Sequence, residues 1–381
     1  MKVAIDTRFL GSEGSGVGKY TQKLVENLLD LDPINEYFII LRKSNWHLFD
    51  PKKANFQKVL ADAPWYGLKE QFLLPAILAK IKPDLVHFPH FNIPLIYPGK
   101  FVVTIHDIIT SEFKGAASTT KVLPIYLLKH FGYELTIAQA LKRAEKIIVP
   151  SNFIKKKLCK NFHLPSNRIV ATYEAADECF MQAGKKDFPS GRINQVLATY
   201  GVHKPFILYV GAAHPHKNLD VLLSALKFLS KNLSLVYSSP RSAFVDRLVD
   251  KAKKLEVEDR LVVSGFVPNE DLAVLYKQAE CLVFPSLSEG FGLPGLEAMA
   301  AGCPVVCSNI PVFREVYGEA AVYFDPRKPE DIAEKIKFIV HNSEFRGSMI
   351  QKGKEQVKKY SWQRLAEETL SVYKFILRNP N

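Results

Sequence analysis

Short apolar segments alternate with amphipathic segments of helical period along the whole 381-residue chain. In the first half, strands are predicted at 2–6, 37–41, 84–88, 101–105 and 146–149, and helices at 17–30, 68–81, 121–143 and 151–160. The second half repeats the pattern with strands at 206–211, 233–237, 261–265, 281–284, 304–307 and 320–324. This alternation predicts parallel sheets with helices on both faces. Because the chain is too long for one small core, we expect two doubly wound α/β domains.

The border between the domains is predicted from a change in composition. Residues 181–204 are richer in polar and turn-forming residues than their surroundings, so we interpret them as the linker or its edge. The sequence thus predicts a first domain at 1–182, a second at 183–360 and a terminal helical segment at 361–381. Ligands of such domains bind at the carboxyl ends of the strands.

Charge and cysteine content limit the partners and the compartment. The net charge of +12 is spread over both halves, which fits a phosphorylated substrate or an anionic membrane face. No single basic tract predicts a nucleic-acid groove. Five cysteines without framework spacing favour a reducing compartment. The chain enters a strand within two residues and has no apolar stretch of transmembrane length, so we expect a cytoplasmic protein.

The segment from Ser288 to Ala301 carries two glutamates, Glu289 and Glu297, around a glycine turn. A buried strand is predicted before it, and Pro294 and Gly302 suit the start and the end of a helix. Backbone N–H groups at 290–292 and the helix dipole would then face a phosphate. One glutamate could face a group on one side of the phosphate, and the other a group on its opposite side. A nucleotide-sugar has groups in this order: sugar, diphosphate and ribose. The alternative is an ordinary pair of glutamates at a helix start.

This segment resembles the donor-binding signature, Glu-x7-Glu, of retaining glycosyltransferase family 4 (glycosyl transferases group 1). The resemblance implies the GT-B fold, in which two Rossmann-like domains face each other across a cleft and a C-terminal helix crosses back to the first domain. It places Glu289 beside the donor sugar and Glu297 on the ribose hydroxyls. It also assigns donor contacts to the loop residues Gly290, Phe291, Gly292 and Leu293.

A second loop, from Gly211 to Asn218, follows the first strand of the second half. It is similar to the family's phosphate-binding segment, with Lys217 in the lysine position and Gly211 approaching the donor. Ala212 stands where many members carry an arginine, so we expect Lys217 and the amides of 290–292, helped by His216 or another basic residue, to compensate the charge of the leaving nucleotide. A solvated helix-start lysine is the alternative for Lys217.

In the first half, His106 and Asp107 follow a predicted strand, at the edge where ligands dock. His106 resembles the family's strand-end histidine, which contacts the hydroxyls of the donor sugar. A core or capping histidine is the alternative, and Asp107 equally fits a loop cap.

The glycine-rich segment from Gly11 to Tyr20 does not form a P-loop, because Glu13 stands at the first required glycine and Tyr20 replaces the magnesium-binding hydroxyl. It resembles the family's first-domain glycine loop, where the backbone near Gly16 approaches donor and acceptor.

Two other patterns suggest metals at first sight. His87, His90 and Asn92 surround a turn without a third ligand at metal spacing, so lining of an acceptor pocket is the better interpretation. Asp30 and Asp32 mimic an Asp-x-Asp motif but precede Pro33, and we expect a surface helix end. No metal or other cofactor is therefore expected.

Aromatic, leucine and lysine residues are mixed at 65–78, and three lysines follow at 155–157. Both segments could contact the anionic inner face of the cytoplasmic membrane. Packing of an amphipathic helix against the core explains the first segment equally well.

The resemblance implies a retaining transfer of a hexosyl group from a nucleoside diphosphate sugar to a saccharide or lipid-linked saccharide. Likeness to polysaccharide-assembly enzymes favours mannose from GDP-mannose. The alternatives are an epimerase or phosphorylase on the same fold, or a sugar-binding protein without catalysis.

Overall fold

The computed structural model describes residues 1–11, 16–109, 123–240 and 242–378, without the side chains of 123–129. These residues form two compact units. The first contains the described residues up to 174 together with those from 361 onward, and the second contains 175–360. The sequence analysis predicts the border between the first and second domains between residues 182 and 183.

The first unit is built on a seven-stranded parallel sheet in the order β3-β2-β1-β4-β5-β6-β7. Its strands are β1 (Lys2–Asp6), β2 (Glu36–Leu41), β3 (Phe56–Leu60), β4 (Leu85–Phe88), β5 (Phe101–Thr104), β6 (Lys146–Val149) and β7 (Ile169–Ala171). The helices are α1 (Gly16–Leu31), α2 (Leu68–Ile81), α3 (Leu123–Arg143), α4 (Asn152–Phe162) and, from the chain end, α14 (Trp362–Arg378).

The second unit is built on a six-stranded parallel sheet in the order β10-β9-β8-β11-β12-β13. Its strands are β8 (Phe206–Val210), β9 (Ser234–Ser238), β10 (Leu261–Gly265), β11 (Leu282–Phe284), β12 (Val305–Ser308) and β13 (Ala321–Phe324). Its helices are α5 (Glu178–Lys185), α6 (Ser190–Thr199), α7 (Leu219–Leu226), α8 (Ala243–Lys254), α9 (Asn269–Gln278), α10 (Leu293–Ala301), α11 (Pro311–Tyr317), α12 (Pro329–His341) and α13 (Ser343–Val357). The prediction of two doubly wound α/β sheets is confirmed.

The strand order places a topological switch point in each sheet. In the first sheet it lies between β1 and β4, and in the second between β8 and β11, where the order of strands reverses. The loops that follow two such strands diverge to opposite faces and leave a crevice at the carboxyl edge, which is where ligands bind in open α/β sheets. The loops after β8 and β11 are the two segments for which the sequence analysis predicts donor binding.

A buried polar chain fixes the C-terminal helix within the first unit. Helix α14 packs on α1, and the Tyr373 hydroxyl lies 2.5 Å from Nδ1 of His87 on β4. Nε2 of His87 lies 2.8 Å from the Thr104 hydroxyl, which lies 3.0 Å from that of Tyr20 on α1. Since all four side chains are buried, these hydrogen bonds satisfy polar groups that would otherwise be costly.

Several details differ from the sequence analysis. The edge strands β3 and β7 were missed, and residues 181–204 contain the end of α5 and the whole of α6. Asp32 does not lie on the surface: it is buried and accepts hydrogen bonds from Asn35 and from the Tyr37 hydroxyl. The interpretation of His87 as pocket lining is wrong, because its ring lies in the core.

Candidate functional site

The candidate site of the second unit lies at the switch point of its sheet. Strands β8 and β11 are hydrogen-bonded neighbours, so the loops that follow them start side by side. The Leu287 N–H donates to the His216 carbonyl (2.8 Å), and the Asn218 amide donates to the Pro285 carbonyl (3.1 Å). These bonds tie the lysine loop to the glycine loop and fix their relative position.

Lys217 and Glu289 form an ion pair between the two loops. The Lys217 ammonium lies 2.6 Å from Glu289 Oε1, and only 18% and 9% of the two side chains is exposed. The Ser286 hydroxyl donates to the same carboxylate oxygen at 2.7 Å. Sequence reasoning gave the lysine and the glutamate separate roles, whereas the structure brings them together. Because the pair is poorly solvated, its charges interact more strongly than exposed charges would.

The turn between Glu289 and α10 depends on glycine. Gly292 is the N-cap residue and has a φ of 101°, in the left-handed region. A Cβ at Gly292 would lie 2.2 Å from the Tyr317 hydroxyl, which donates to the Gly292 carbonyl. Pro294 is in the first turn and Gly302 ends the helix, as expected. A glycine N-cap offers no side chain to the first N–H groups, so the helix start suits an anion.

Glu297 lies in the second turn of α10 and is almost fully buried. The Tyr276 hydroxyl on α9 donates to its Oε2 at 3.4 Å. Burial, followed by the charge of Glu297, raises the pKa of Tyr276 well above its usual range. The phenol is therefore neutral and can only donate to the carboxylate.

The lysine loop itself supplies one positive charge. Gly211 has a φ of 134° and donates to the Ser238 carbonyl at 3.0 Å. Burial, followed by repulsion from Lys217 and His214, lowers the pKa of His216 to about 3. His216 is thus neutral near pH 7 and, in this state, does not replace the positive charge missing at Ala212.

In the first unit, His106 lies just after β5 with its ring between two acceptors. Nε2 is 2.9 Å from the Pro89 carbonyl and Nδ1 is 3.3 Å from Glu174 Oε1. Asp107 accepts a hydrogen bond from the Ile109 N–H (2.9 Å), which fits its interpretation as a loop cap. Gly16 is the exposed first residue of α1, and the rest of its glycine loop at 12–15 lies outside the described residues.

A pocket of about 460 Å³ lies beside the lysine loop, between that loop and α8. Phe244, Arg247 and Lys251 line it, but Lys217 and Glu289 do not. It is therefore a neighbouring feature of the second unit and not the candidate site.

Two searches of the described residues gave negative results. No three His, Cys, Asp or Glu side chains among them gather in a way that could hold a metal ion. Within the same ranges, no helix has the length and apolar character needed to cross a bilayer.

Sequence reasoning missed four residues that hold the candidate groups: Ser286, Tyr276, Tyr317 and Glu174. Ser286 stands three residues before Glu289, a spacing at which a local side-chain contact could have been proposed. The two tyrosines and Glu174 come from other elements of the fold, and no local pattern points to them.

Two family models match the chain, one in each half. The model for Glycosyltransferase Family 4 matches residues 14–178, and the model for glycosyl transferases group 1 matches residues 200–356. The chain is 28% identical to the O-antigen chain mannosyltransferase B of Escherichia coli, over 99% of this chain and 100% of that protein. It is 26% identical to the O-antigen chain mannosyltransferase RfbU of Salmonella typhimurium, over 87% and 88% of the two chains.

A solved structure supports the fold independently. The Anabaena protein Alr3699/HepE in complex with UDP-glucose aligns with a TM-score of 0.75 and 16% identity, over 98% of this chain and 100% of that chain. At this identity the likeness concerns the fold, which is GT-B. With both halves matched by models of one enzyme family, the chain belongs to the family 4, group 1 glycosyltransferases.

Proposed function

We propose that this glycosyltransferase moves a hexosyl group, in the first place mannose from GDP-mannose, to a saccharide or lipid-linked saccharide acceptor in polysaccharide or glycolipid assembly. The two O-antigen mannosyltransferases that align with most of the chain support the sugar and the pathway. The paired Lys217 and Glu289 at the switch point of the second sheet carry the proposal.

The Lys217–Glu289 pair offers a cation for the diphosphate and a carboxylate for the sugar of a nucleoside diphosphate sugar. A diphosphate that approaches the start of α10 competes with Glu289 for the Lys217 ammonium, which has a flexible stem and three donors. Once the lysine has turned to the phosphate, Glu289 keeps the Ser286 hydroxyl as a partner. The carboxylate then becomes available to a hydroxyl of the donor sugar.

The proposed transfer retains the configuration at the anomeric carbon. The bond between this carbon and the β-phosphate oxygen breaks, and the acceptor oxygen bonds to the same face. The acceptor proton passes to the departing phosphate, so no base from the protein is required. Lys217 and the N–H groups at the start of α10 stabilise the negative charge that develops on the phosphate.

The remaining assignments follow the same proposal. Glu297 accepts from the ribose hydroxyls, and the backbone of Gly16, of Gly211 and of 290–293 approaches the donor. His106 is the candidate catalytic residue of the first unit. The donor's charge is balanced by protein groups, so we propose that no metal is required. The five cysteines lack the spacing of a disulfide framework, which supports a reducing compartment, the cytoplasm.

We also propose a peripheral contact with an anionic membrane through the start of α2. Leu68 and Phe72 are 82% and 67% exposed, and Tyr66, just before the helix, is 62% exposed. Core packing therefore does not account for these three side chains, although it does account for Leu74 and Leu78. Lys69 lies among them and suits an anionic surface.

The first experiment is a calorimetric titration of the purified protein with GDP, UDP and ADP, with magnesium and with a chelator. We expect one diphosphate to bind selectively and equally well in both buffers. Loss of binding in the chelator contradicts metal independence, and binding of no nucleotide contradicts the donor site.

The second experiment follows the sugar. Incubation with GDP-mannose and a mannose-containing oligosaccharide should give a product whose new linkage has the anomeric configuration of the donor, measured by NMR coupling constants. An inverted linkage contradicts the mechanism, and isomerisation of the donor without any acceptor favours the epimerase alternative.

The membrane contact is tested by co-sedimentation with vesicles that contain anionic phospholipids. The variant Leu68→Ser/Phe72→Ser should sediment less than the wild type, whereas Phe338→Ser, an exposed phenylalanine of the second unit, should sediment equally. Equal sedimentation of all three proteins contradicts the contact.

A further inference from the structure

Helix α10 contains a second glycine, Gly295, whose place is explained by a neighbouring side chain. A glycine inside a helix is less favourable than an alanine. A Cβ at Gly295 would lie 2.3 Å from both Cζ and the hydroxyl oxygen of Tyr317. The same hydroxyl closes the space beside Gly292. Both glycines therefore make room for one aromatic side chain.

Tyr317 holds the carbonyl of the N-cap residue. Its hydroxyl donates to the Gly292 carbonyl, which also accepts the Gly295 N–H at 3.1 Å. Two donors occupy both lone pairs of this oxygen. The peptide between Gly292 and Leu293 is trans, so its C=O and its N–H point in opposite directions. By holding the carbonyl, Tyr317 therefore directs the Leu293 N–H toward the N-terminal end of the helix.

The backbone alone does not fix this peptide. Gly292 has a φ of 101°, and glycine has more conformational freedom than any other residue. The hydroxyl of Tyr317 restricts this freedom from outside the helix.

Tyr317 itself is held firmly in place. Its side chain is fully buried, and its ring stacks on Phe313 with a centroid distance of 5.0 Å. It is the last residue of α11. The carbonyl of the preceding residue, Val316, accepts from the Gln356 amide and from the Tyr360 hydroxyl, each at 2.8 Å. The ring and the helix end therefore cannot shift without a loss of packing or of hydrogen bonds.

The same layer of rings lies beneath Lys217. Phe313 stacks on Phe284 with a centroid distance of 5.0 Å, and both rings are buried. The Lys217 ammonium lies 5.8 Å from the centroid of Phe284, within the range in which a ring face attracts a cation. The Leu293 N–H and Lys217, two groups proposed to bind the diphosphate, thus rest on one packed set of aromatic side chains.

We propose that Tyr317 is a positioning residue of the donor site, which holds the Gly292–Leu293 peptide so that the Leu293 N–H faces the diphosphate. Gly295 has no side chain because the tyrosine ring occupies that space. This inference rests on the proposed function, in which the start of α10 binds the diphosphate. A tyrosine that only stabilised the second unit would not change diphosphate affinity in the folded protein.

The variant Tyr317→Phe removes the hydroxyl and keeps the ring. Tyr200→Phe is the matched control, because the Tyr200 hydroxyl donates to the Asp271 carboxylate at 2.7 Å elsewhere in the second unit. Thermal unfolding should first establish that both variants are folded at the assay temperature.

The direct measurement is amide hydrogen exchange of the ligand-free, full-length proteins, followed by mass spectrometry. The peptide that covers residues 290–296 should exchange faster in Tyr317→Phe than in the wild type. It should exchange at the wild-type rate in Tyr200→Phe. Unchanged exchange of this peptide in Tyr317→Phe overturns the inference.

Binding and kinetics test the role in the reaction. In Tyr317→Phe the calorimetric Kd of the nucleoside diphosphate should rise and kcat should fall, each by about tenfold, which is less than the loss of about 100-fold or more when a charge-stabilising donor is removed. Tyr200→Phe should match the wild type in both. Faster exchange with unchanged Kd and kcat overturns the positioning role. If the wild type binds no nucleoside diphosphate, the proposed function fails, and the exchange measurement alone decides whether Tyr317 fixes the turn.

A double-variant cycle tests the space beside Gly295. In the wild-type background, Gly295→Ala should displace the Tyr317 ring and raise the Kd at least as much as Tyr317→Phe does. In the background of Tyr317→Leu, whose side chain lacks the two clashing atoms, Gly295→Ala should change the Kd by less than about twofold. Equal effects in the two backgrounds mean that the residues act independently, which overturns the assignment of Gly295.

Discussion

A basic side chain meets a carboxylate beyond the carboxyl ends of the strands in each unit of this glycosyltransferase, and the pairs Lys217–Glu289 and His106–Glu174 differ in how they are closed. Lys217 and Glu289 meet between two loops, and Ser286 binds the same carboxylate oxygen. His106 and Glu174 meet with the second ring nitrogen bound to a main-chain carbonyl. The lysine can leave its partner because Glu289 keeps a donor. The histidine cannot turn without leaving a buried carbonyl unsatisfied.

The comparison contrasts a cation that can move with an imidazole ring that is fixed in place. A lysine on a flexible stem can follow the phosphate as its negative charge develops. A ring whose two nitrogens both face poorly solvated acceptors keeps one orientation. The predictions below test this contrast, from the largest expected effect to the smallest.

Lys217→Ala should have the largest effect. It removes the mobile charge and leaves Glu289 with a single donor, so kcat/KM for the donor sugar should fall by about 1000-fold. Lys227→Ala removes an exposed lysine of the same unit and should leave kcat/KM unchanged. If the fall in kcat/KM of the double variant Lys217→Ala/Glu289→Ala equals the product of the falls in the two single variants, the two residues act independently. This result would contradict the proposal that they act as a pair.

Glu289→Ala should mainly slow transfer. With the carboxylate gone, Lys217 remains free to bind the diphosphate, so kcat should fall by about 100-fold while the calorimetric Kd of the nucleoside diphosphate stays the same or decreases. A weaker Kd with an unchanged kcat would reverse the assignment of the two glutamates.

Glu297→Ala should mainly weaken nucleotide binding. A hydrogen bond to a charged group contributes about 1.5–3 kcal/mol, so the Kd of the diphosphate should rise by about tenfold or more. Tyr276→Phe removes only the 3.4 Å donor to this carboxylate and should have a smaller effect on the same Kd. Unchanged nucleotide affinity in Glu297→Ala contradicts its contact with the ribose.

The sequence predicted the elements of the fold better than the partners within the site. Central strands such as β1 and β8 are buried apolar runs, which are a local signal. The edge strand β3 mixes buried and exposed positions, and β7 has only three residues, so neither stands out from its surroundings.

The candidate site was less completely predicted from the sequence than the fold. The glycine turn and the two glutamates of α10 lie within one short segment, so their pattern was visible. The contact between Lys217 and Glu289 depends on β8 and β11 being neighbours, which is decided by the strand order of the whole sheet. Glu174 reaches His106 from beyond β7, and no spacing in the sequence relates the two.

The smallest expected effect concerns His87, a fully buried histidine of the first unit. Its pKa of about 3 in the folded protein lies below the usual 6.5, so the unfolded chain binds the proton more readily. Between these values the folded state therefore loses stability as the pH falls, by about 1.4 kcal/mol per pH unit for this group. We expect urea unfolding of the first unit, followed by circular dichroism at pH 6.5 and 5.5, to show a smaller loss in His87→Gln than in the wild type. His47→Asn, at an exposed position of the same unit, should behave as the wild type does. An equal loss in all three proteins would mean that His87 does not titrate on unfolding, which would contradict its description as a neutral buried histidine.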